Sequence, residues 1–339
     1  MPIVDSDVHV KHYDFVFPVV RQNNSTEPSA TLYYKKIEKY ITKKFGPFFT
    51  LDESYPLKVN VSTYATLKLK YEQPIHKNKT HYPQKLFLAM IHTMPNKIQN
   101  IINIRNTWCQ EKHELEFGFK CIFILVKGSV EKSNKTTTFK EMNSTKQDIY
   151  FVEMPFLNEE WNTLYHKDIA SYIQLYPIFK DYKFYGRFDN HVIVNVDMLS
   201  DILIELPTNG TVFGGFNFHG PFRNKKHKYY DMFAQPFKKY YPFVAGYIAL
   251  YSNDMAEFFS TWDKYFQIPP SSLEDTPFGF LSYKYAMEKH IKLTFVRPKQ
   301  IGTGHSGQYD KNYIIFHRAR ENDLVQFYNR SVKDGHFVN

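Results

Sequence analysis

The stretch KLFLAMIHT, residues 85–93, is an apolar run with the length of one β-strand, and a regular order of elements starts with it. A polar segment of helical character follows at residues 96–108, and a second apolar strand, FKCIFILVKG, follows at residues 119–128. Apolar strands separated by polar helices are typical of α/β domains with a mainly parallel sheet. The sequence therefore predicts an α/β fold from this point onward.

The alternation continues through the rest of the chain. After a polar loop the predicted elements are a strand in QDIYFVEMPF (147–156), a helix at 159–176, the strand HVIVN (191–195), a helix at 197–206, and strands in GTVFGGFNF (210–218) and YYPFVAGYIALYS (240–252). A further helix, capped by Asp254, carries an apolar stripe of Met255, Phe258, Phe259, Trp262 and Phe266. Residues 1–82 lack the alternation, and we interpret them as an N-terminal extension that packs partly on a main domain of residues 83–339.

The composition indicates a globular chain, because 43% of its 339 residues are hydrophobic and 18% are aromatic. Its formal net charge of +9 is compatible with nucleic acid, an anionic membrane surface or a phosphorylated small molecule as partner. No recognised nucleic-acid-binding motif accompanies the charge, so we expect no specific nucleic-acid partner.

The cysteines and the N-glycosylation sequons give information on the cellular compartment of the protein. The two cysteines, Cys109 and Cys121, permit at most one disulfide and exclude a four-cysteine zinc site. N-x-S/T sequons lie at Asn23, Asn24, Asn60, Asn78, Asn134, Asn143, Asn209 and Asn329, and that density favours the secretory pathway. Neither a signal peptide nor a run of ~20 apolar residues is visible. We therefore expect either a cytosolic protein or a secretory one whose anchor is missing from this sequence.

One polar cluster stands directly before the strand HVIVN. The dinucleotide fingerprint G-x-G-x-x-G and the P-loop are both absent, so a bound nucleotide would need another way to neutralise its phosphates. Asp189 and His191 are two residues apart in an extended segment, so they face one side and offer an oxygen and a nitrogen to a divalent metal ion. Taken alone, the same residues equally suit a turn cap and a hydrogen-bonded histidine.

Two more clusters have both a chemical and a structural interpretation. Glu274 and Asp275 stand together in a predicted turn, where one of them can act as a general base or both can cap a helix. Arg105 and Trp108 are three residues apart in a predicted helix, where they can contact a nucleotide or form a structural ion pair or cation–π pair. The glycine-rich GTGHSGQ, residues 302–308, lacks the spacing of a nucleophile elbow and is interpreted as a loop that closes over a ligand.

In their order along the chain, these motifs resemble glycosyltransferase family 31, the β1,3-galactosyl- and β1,3-N-acetylglucosaminyltransferases. IRNTW (104–108) matches the family's I-R-x-T-W, and GRFDNHVIVN (186–195) is similar to its K-x-D-D-D-V-F-V-N. LEDTPFG (273–279) is similar to E-D-V-x-x-G, and His317 begins a segment that resembles the closing H-R motif. The resemblance covers about residues 85–330.

The resemblance implies a GT-A-type, Rossmann-like fold, a UDP-sugar as donor, and a glycan on a glycoprotein or glycolipid as acceptor. It implies that Asp275 deprotonates the acceptor hydroxyl and that Asp189, His191 and His317 hold Mn²⁺. It assigns the donor to the binding residues Arg105, Arg187, Asp189 and Asn190. Because family members are anchored in the Golgi membrane, it also implies a Golgi location.

The chain departs from the family at the acidic triplet. Asn190 and His191 replace the second and third acids, of which the third normally binds manganese, and Arg187 replaces a lysine. Imidazole is an acceptable Mn²⁺ ligand. Two hypotheses follow: an inverting, metal-dependent hexosyltransferase that forms a β1,3 linkage, or a GT-A pseudoenzyme that binds a glycan or a protein partner. Metal and UDP binding distinguish them.

Overall fold

The computed structural model of the chain describes residues 50–51, 65–71, 82–154, 159, 163–217, 224, 226, 229–231, 240–262, 267–268, 273–298, 301–302, 309–317 and 321–337. Most of the predicted N-terminal extension, residues 303–308 of the predicted closing loop, and Phe266 lie outside these residues. Among the helices described, none has both the length and the apolar character needed to cross a membrane.

An eight-stranded sheet forms the centre of the fold. In spatial order its strands are β2 (Ala65–Tyr71), β11 (Leu293–Pro298), β8 (Thr211–Asn217), β9 (Phe243–Ser252), β6 (Phe184–Asp189), β3 (Phe87–His92), β4 (Phe119–Val126) and β5 (Ile149–Val152). The strand β9 runs antiparallel to both of its neighbours, and the other neighbouring pairs are parallel. The predicted α/β fold with a mixed, mainly parallel sheet is confirmed.

Smaller sheets and the helices complete the architecture. One small sheet pairs β1 (Thr50–Leu51) with β10 (Gln267–Ile268), and another orders β12 (Ile301–Gly302), β13 (Ile315–His317) and β7 (Val192–Val194). The described helices are α1 (Ile98–Arg105), α2 (Glu111–Phe117), α3 (Lys127–Lys132), α4 (Thr136–Lys146), α5 (Leu164–Phe179), α6 (Val196–Leu203), α7 (Asn253–Ser260), α8 (Thr276–Lys289) and α9 (Glu321–Lys333).

Alternate residues of the central strands supply two separate cores, one on each face of the sheet. Leu88 and Met90 of β3 belong to the core that also holds α5, whereas Ala89 and Ile91 belong to the core that also holds α1. A sheet covered on both faces buries its strands completely, which accounts for the near-continuous apolar runs in the sequence.

The region around residue 190 differs from the prediction. The sequence suggests an aromatic patch followed by a single strand, HVIVN, but residues 184–189 already form β6 in the middle of the main sheet. The polar Arg187 interrupts the apolar pattern of this strand, although its side chain is buried. After a turn at residues 190–191, β7 leaves the main sheet and joins the small sheet of β12 and β13.

Three other details correct or complete the sequence analysis. The polar loop predicted before residue 147 contains α3 and α4, whose few buried apolar residues, such as Val130 and Phe139, give only a weak helical pattern. Asp254 lies inside the first turn of α7 instead of at its cap, and its carboxylate accepts the Gly210 N–H. Cys109 and Cys121 form a disulfide that ties the segment after α1 to β4.

Candidate active site

The carboxyl ends of the central strands bring distant polar residues together. Asp189 is the last residue of β6, and it lies in register with His92 at the end of β3. Because β7 pairs antiparallel with β13, His317 of β13 lies opposite Val192, one residue beyond His191. Residues near position 190 therefore meet a residue 126 positions later in the chain.

Asp189, His191 and His317 form a compact trio. The Nε2 atoms of the two histidines are 3.2 Å apart. Oδ2 of Asp189 lies 3.7 Å from Nε2 of His191 and 3.9 Å from Nε2 of His317. Tyr247 stacks on the His317 ring with centroids 4.4 Å apart and fixes its orientation.

The trio has the chemistry of a metal site. Within the described part of the chain, these three residues are the group whose ligand atoms can converge on one ion, since all lie within 4.8 Å of one another. Two imidazole nitrogens and a carboxylate oxygen suit a divalent transition metal, whose ligand distances are ~2.0–2.2 Å. Without an ion, the two Nε2 atoms are close enough to share a hydrogen bond. The residues fit the ion that the family resemblance implies.

The side chain of Arg187 contacts both Asp189 of this trio and the two acids that precede α8. Its NH2 lies 3.5 Å from Oδ1 of Asp189 and 2.5 Å from Oε1 of Glu274, and its NH1 lies 3.1 Å from Oδ1 of Asp275. Its Nε lies 3.3 Å from Oδ2 of the buried Asp168. Four carboxylates thus surround one buried guanidinium, and local negative charge exceeds positive charge.

Glu274 and Asp275 lie immediately before α8 and face this guanidinium. Burial raises the pKa of Asp275 above its usual range, and Arg187 and the Gly246 N–H, which donates to its carboxylate, oppose that effect. Burial also raises the pKa of Glu274, opposed by Arg187 and reinforced by Asp275. A carboxylate that holds protons more readily than usual is a better general base near neutral pH.

Gly246 allows this close approach, because a Cβ atom at that position would overlap with Oδ1 of Asp275 and with NH1 of Arg187. We expect Gly246→Ala to lower the free energy of unfolding by about 1–3 kcal/mol, measured by urea denaturation. Gly128→Ala is the control, because nothing lies within 4 Å of its new methyl group, and Ala in α3 should stabilise by about 0.5–1 kcal/mol. Equal stability of Gly246→Ala and wild type would contradict this account of the site.

The remaining predicted binding residues lie in different surroundings. The Asn190 side chain donates to Oγ1 of Thr93, at 3.1 Å, in the segment that follows β3. Arg105 is engaged elsewhere: its Nε donates to the buried Asp148 at 3.0 Å, and its guanidinium lies over the Phe123 ring. The structural interpretation of Arg105 as an ion-pair residue thus applies, and its contact with a nucleotide stays a prediction.

Sequence reasoning did not single out three residues that contact this cluster. Asp168 lies mid-helix in α5, His92 ends the apolar strand β3, and Tyr247 lies inside the apolar strand β9. A polar residue at a strand end was a usable signal for His92. Nothing local in the sequence distinguishes Asp168 or Tyr247 from ordinary helix and strand residues.

Comparison with known proteins gives a family match and weaker similarities. The model of the Galactosyltransferase family matches residues 102–292, a span that includes β6, β7 and all of α8. Diaminopimelate epimerase of Methanococcus maripaludis is 33% identical over 60 residues, which are 18% of this chain and 21% of that protein. The chain thus spans about a fifth of the length of the curated relatives it matches.

Two solved structures are similar at low sequence identity. Core-mannan synthase A of Aspergillus fumigatus, in its Mn/GDP form, is 12% identical with a TM-score of 0.36, over 86% of this chain and 98% of that one. A mannosyltransferase of Pyrobaculum calidifontis, in complex with GDP-Man and Mn²⁺, is 10% identical with a TM-score of 0.34, over 69% of this chain and 62% of that one.

Proposed function

Because the chain belongs to the galactosyltransferase family, whose model matches residues 102–292, we propose that it transfers a hexose or N-acetylhexosamine from a UDP-sugar to a glycan hydroxyl. The reaction inverts the anomeric carbon, and the resemblance of the motifs to family 31 favours a β1,3 linkage. The acceptor glycan is carried by a glycoprotein or a glycolipid.

One observation carries the proposal: the guanidinium of Arg187 contacts both Asp275 and Asp189, so the predicted base, which is half-buried, and the predicted metal trio lie in one site. An inverting transferase needs a base on one side of the anomeric carbon and neutralisation of the departing diphosphate on the other. Four carboxylates surround a single guanidinium, so the excess negative charge would stabilise a divalent cation bound beside them.

In the proposed reaction, Asp275 accepts the proton of the acceptor hydroxyl while the hydroxyl oxygen bonds to the anomeric carbon. The bond from that carbon to the diphosphate oxygen breaks on the opposite face, and its electron pair leaves with UDP. The proton stays on Asp275 until solvent removes it. When bound by Asp189, His191 and His317, Mn²⁺ supplies charge that stabilises the leaving diphosphate.

We further propose that the chain works in the lumen of the secretory pathway, at the Golgi membrane if an anchor precedes this sequence. The Cys109–Cys121 disulfide supports this location, since disulfides persist in oxidising compartments. Two sequon asparagines, Asn134 and Asn209, are exposed in turns where a glycan would extend into solvent.

Calorimetric titration of UDP into the chain tests the proposal. We expect binding that requires Mn²⁺ and that weakens about tenfold or more in His191→Ala, because one of three ligands is lost. His290→Ala is the matched control, since this exposed histidine lies at the end of α8, outside the trio. Tight UDP binding without metal would contradict the role of the trio, and absence of UDP binding in any condition would favour the pseudoenzyme.

A further inference from the structure

Asp168 is a buried acid in the middle of α5, and 1% of its side chain is exposed. Its Oδ1 lies 2.8 Å from Nδ1 of His92, and its Oδ2 lies 3.3 Å from Nε of Arg187. Burying a carboxylate without a partner costs several kcal/mol, so these two contacts account for its presence in the core.

The two partners of Asp168 are not equivalent. Burial lowers the pKa of His92 below its usual value, so its imidazole is neutral near pH 7 even though Asp168 opposes the shift. The charge of Asp168 is therefore balanced by Arg187, and His92 lies against the other oxygen of the carboxylate.

Nε of Arg187 and Oδ2 of Asp168 form a buried ion pair without hydrogen-bond geometry, and its attraction keeps the Nε edge of the guanidinium toward α5. The guanidinium is planar and rigid, so fixing its Nε edge also fixes the directions of NH1 and NH2. NH1 then faces Asp275, and NH2 faces Glu274 and Asp189. One anchored cation thereby holds the predicted base from α8 and the predicted metal ligand from β6 at a set separation.

We propose that Asp168 is a positioning residue for sugar transfer: it fixes the guanidinium of Arg187, which in turn holds Asp275 and Asp189 in place. The effect on transfer rests on the proposed function, whereas the effect on the position of Asp275 does not. Arg187 is accordingly an internal clamp, and its guanidinium is enclosed by acids instead of being offered to a nucleotide phosphate.

A second buried pair in the same chain provides a matched control. Asp148 is fully buried and accepts hydrogen bonds from Nε and NH2 of Arg105, whereas Asp168 faces Nε of Arg187 in a single ion pair. The Arg105 guanidinium also donates to the Met142 carbonyl, in α4. Asp168→Asn and Asp148→Asn thus each remove the charge of a buried aspartate that faces an arginine, and only the first affects the arginine that touches Asp275.

The experiment compares the two variants in transfer kinetics and in hydrogen–deuterium exchange of residues 273–279, which carry Glu274 and Asp275. We expect Asp168→Asn to lower kcat about 10- to 100-fold and to change KM for the donor less than kcat, because the base is misplaced while His191 and His317, two of the three predicted metal ligands, remain together. We also expect its exchange in this segment to rise about tenfold. Asp148→Asn should leave the exchange of residues 273–279 near wild type, because Arg105 is not the arginine that contacts Asp275.

An equal rise of exchange in residues 273–279 for the two variants would overturn the proposal, as would wild-type exchange in Asp168→Asn. If Asp168→Asn does not fold, Arg187→Lys is used in its place. The lysine ammonium keeps the positive charge but cannot contact acids on three sides as the guanidinium does. The same loss of kcat and the same rise in exchange are expected. If the wild type transfers no sugar from any UDP-sugar, the proposed function fails, and the exchange measurement still decides whether Asp168 positions Asp275.

Discussion

Asp275→Asn is expected to lower kcat for sugar transfer by about 10²–10⁴-fold, because an amide of the same shape cannot take the acceptor proton. In this variant the side-chain oxygen at position 275 can still accept a hydrogen bond from NH1 of Arg187, so the local structure should persist. UDP binding in the presence of Mn²⁺ should stay within about threefold of wild type, since Asp275 is not one of the three metal ligands. Initial rates with a UDP-sugar and a glycan acceptor measure the first quantity, and calorimetry measures the second.

Glu274→Gln is the control for this variant, because Glu274 is the neighbouring acid and contacts the same guanidinium. We expect it to retain most of the activity. A large loss in Glu274→Gln with full activity in Asp275→Asn would transfer the role of base to Glu274.

The dependence of the transfer rate on pH provides a second test of Asp275 as the base. Burial raises the pKa of Asp275, and a base works only in its ionised form. The rate of the wild type should therefore fall as pH falls through this raised pKa, at a higher pH than for an ordinary aspartate. Because Asp275 and Glu274 lie on one guanidinium, the midpoint belongs to the pair. A rate that stays constant down to pH 4 would contradict the assignment.

Zn²⁺ and Co²⁺ are expected to bind the wild-type chain about tenfold or more tightly than Mn²⁺, because two of the three ligand atoms are imidazole nitrogens. Affinity for nitrogen ligands rises along the first-row metals from Mn²⁺ toward Cu²⁺, and carboxylate oxygens suit Mn²⁺ better. The motif resemblance places an acid where this chain has His191. A variant with an acid in place of His191 therefore shows how much of the metal preference is due to this histidine.

Competitive metal titration of the wild type and His191→Asp measures this preference. The variant replaces a nitrogen ligand by an oxygen ligand, so the advantage of Zn²⁺ and Co²⁺ over Mn²⁺ should shrink about tenfold. The same ratio of affinities in both proteins would show that His191 is not a ligand.

The sequence predicted the fold where one pattern held over a whole element. The apolar runs within KLFLAMIHT and FKCIFILVKG form β3 and β4, which are almost completely buried, as runs of this length predict. Residues 184–189 form an equally central strand, but Arg187 breaks its apolar pattern, and only tertiary contacts with four acids make a buried arginine tolerable. Such contacts are invisible to a local window of sequence.

The candidate site was likewise predictable from the sequence only in part. The pair Asp189 and His191 stood out because of their spacing before a strand, and His317 was found only through the motif resemblance. The contact of Asp168 with Arg187 depends on how α5 packs against β6, which no spacing along the chain encodes. Tyr247 is likewise an ordinary strand residue until the fold stacks it on His317.

The pairing of β7 with β13 also sets an order of assembly during synthesis. A ribosome that has made the first 300 residues has already produced Asp189, His191 and Asp275, yet the third member of the trio has not been translated. Until the closing segment docks against β7, the nascent chain has only two of the three ligands. High-affinity metal binding would therefore report that β13 has docked against β7, and a bound ion would stabilise that pairing.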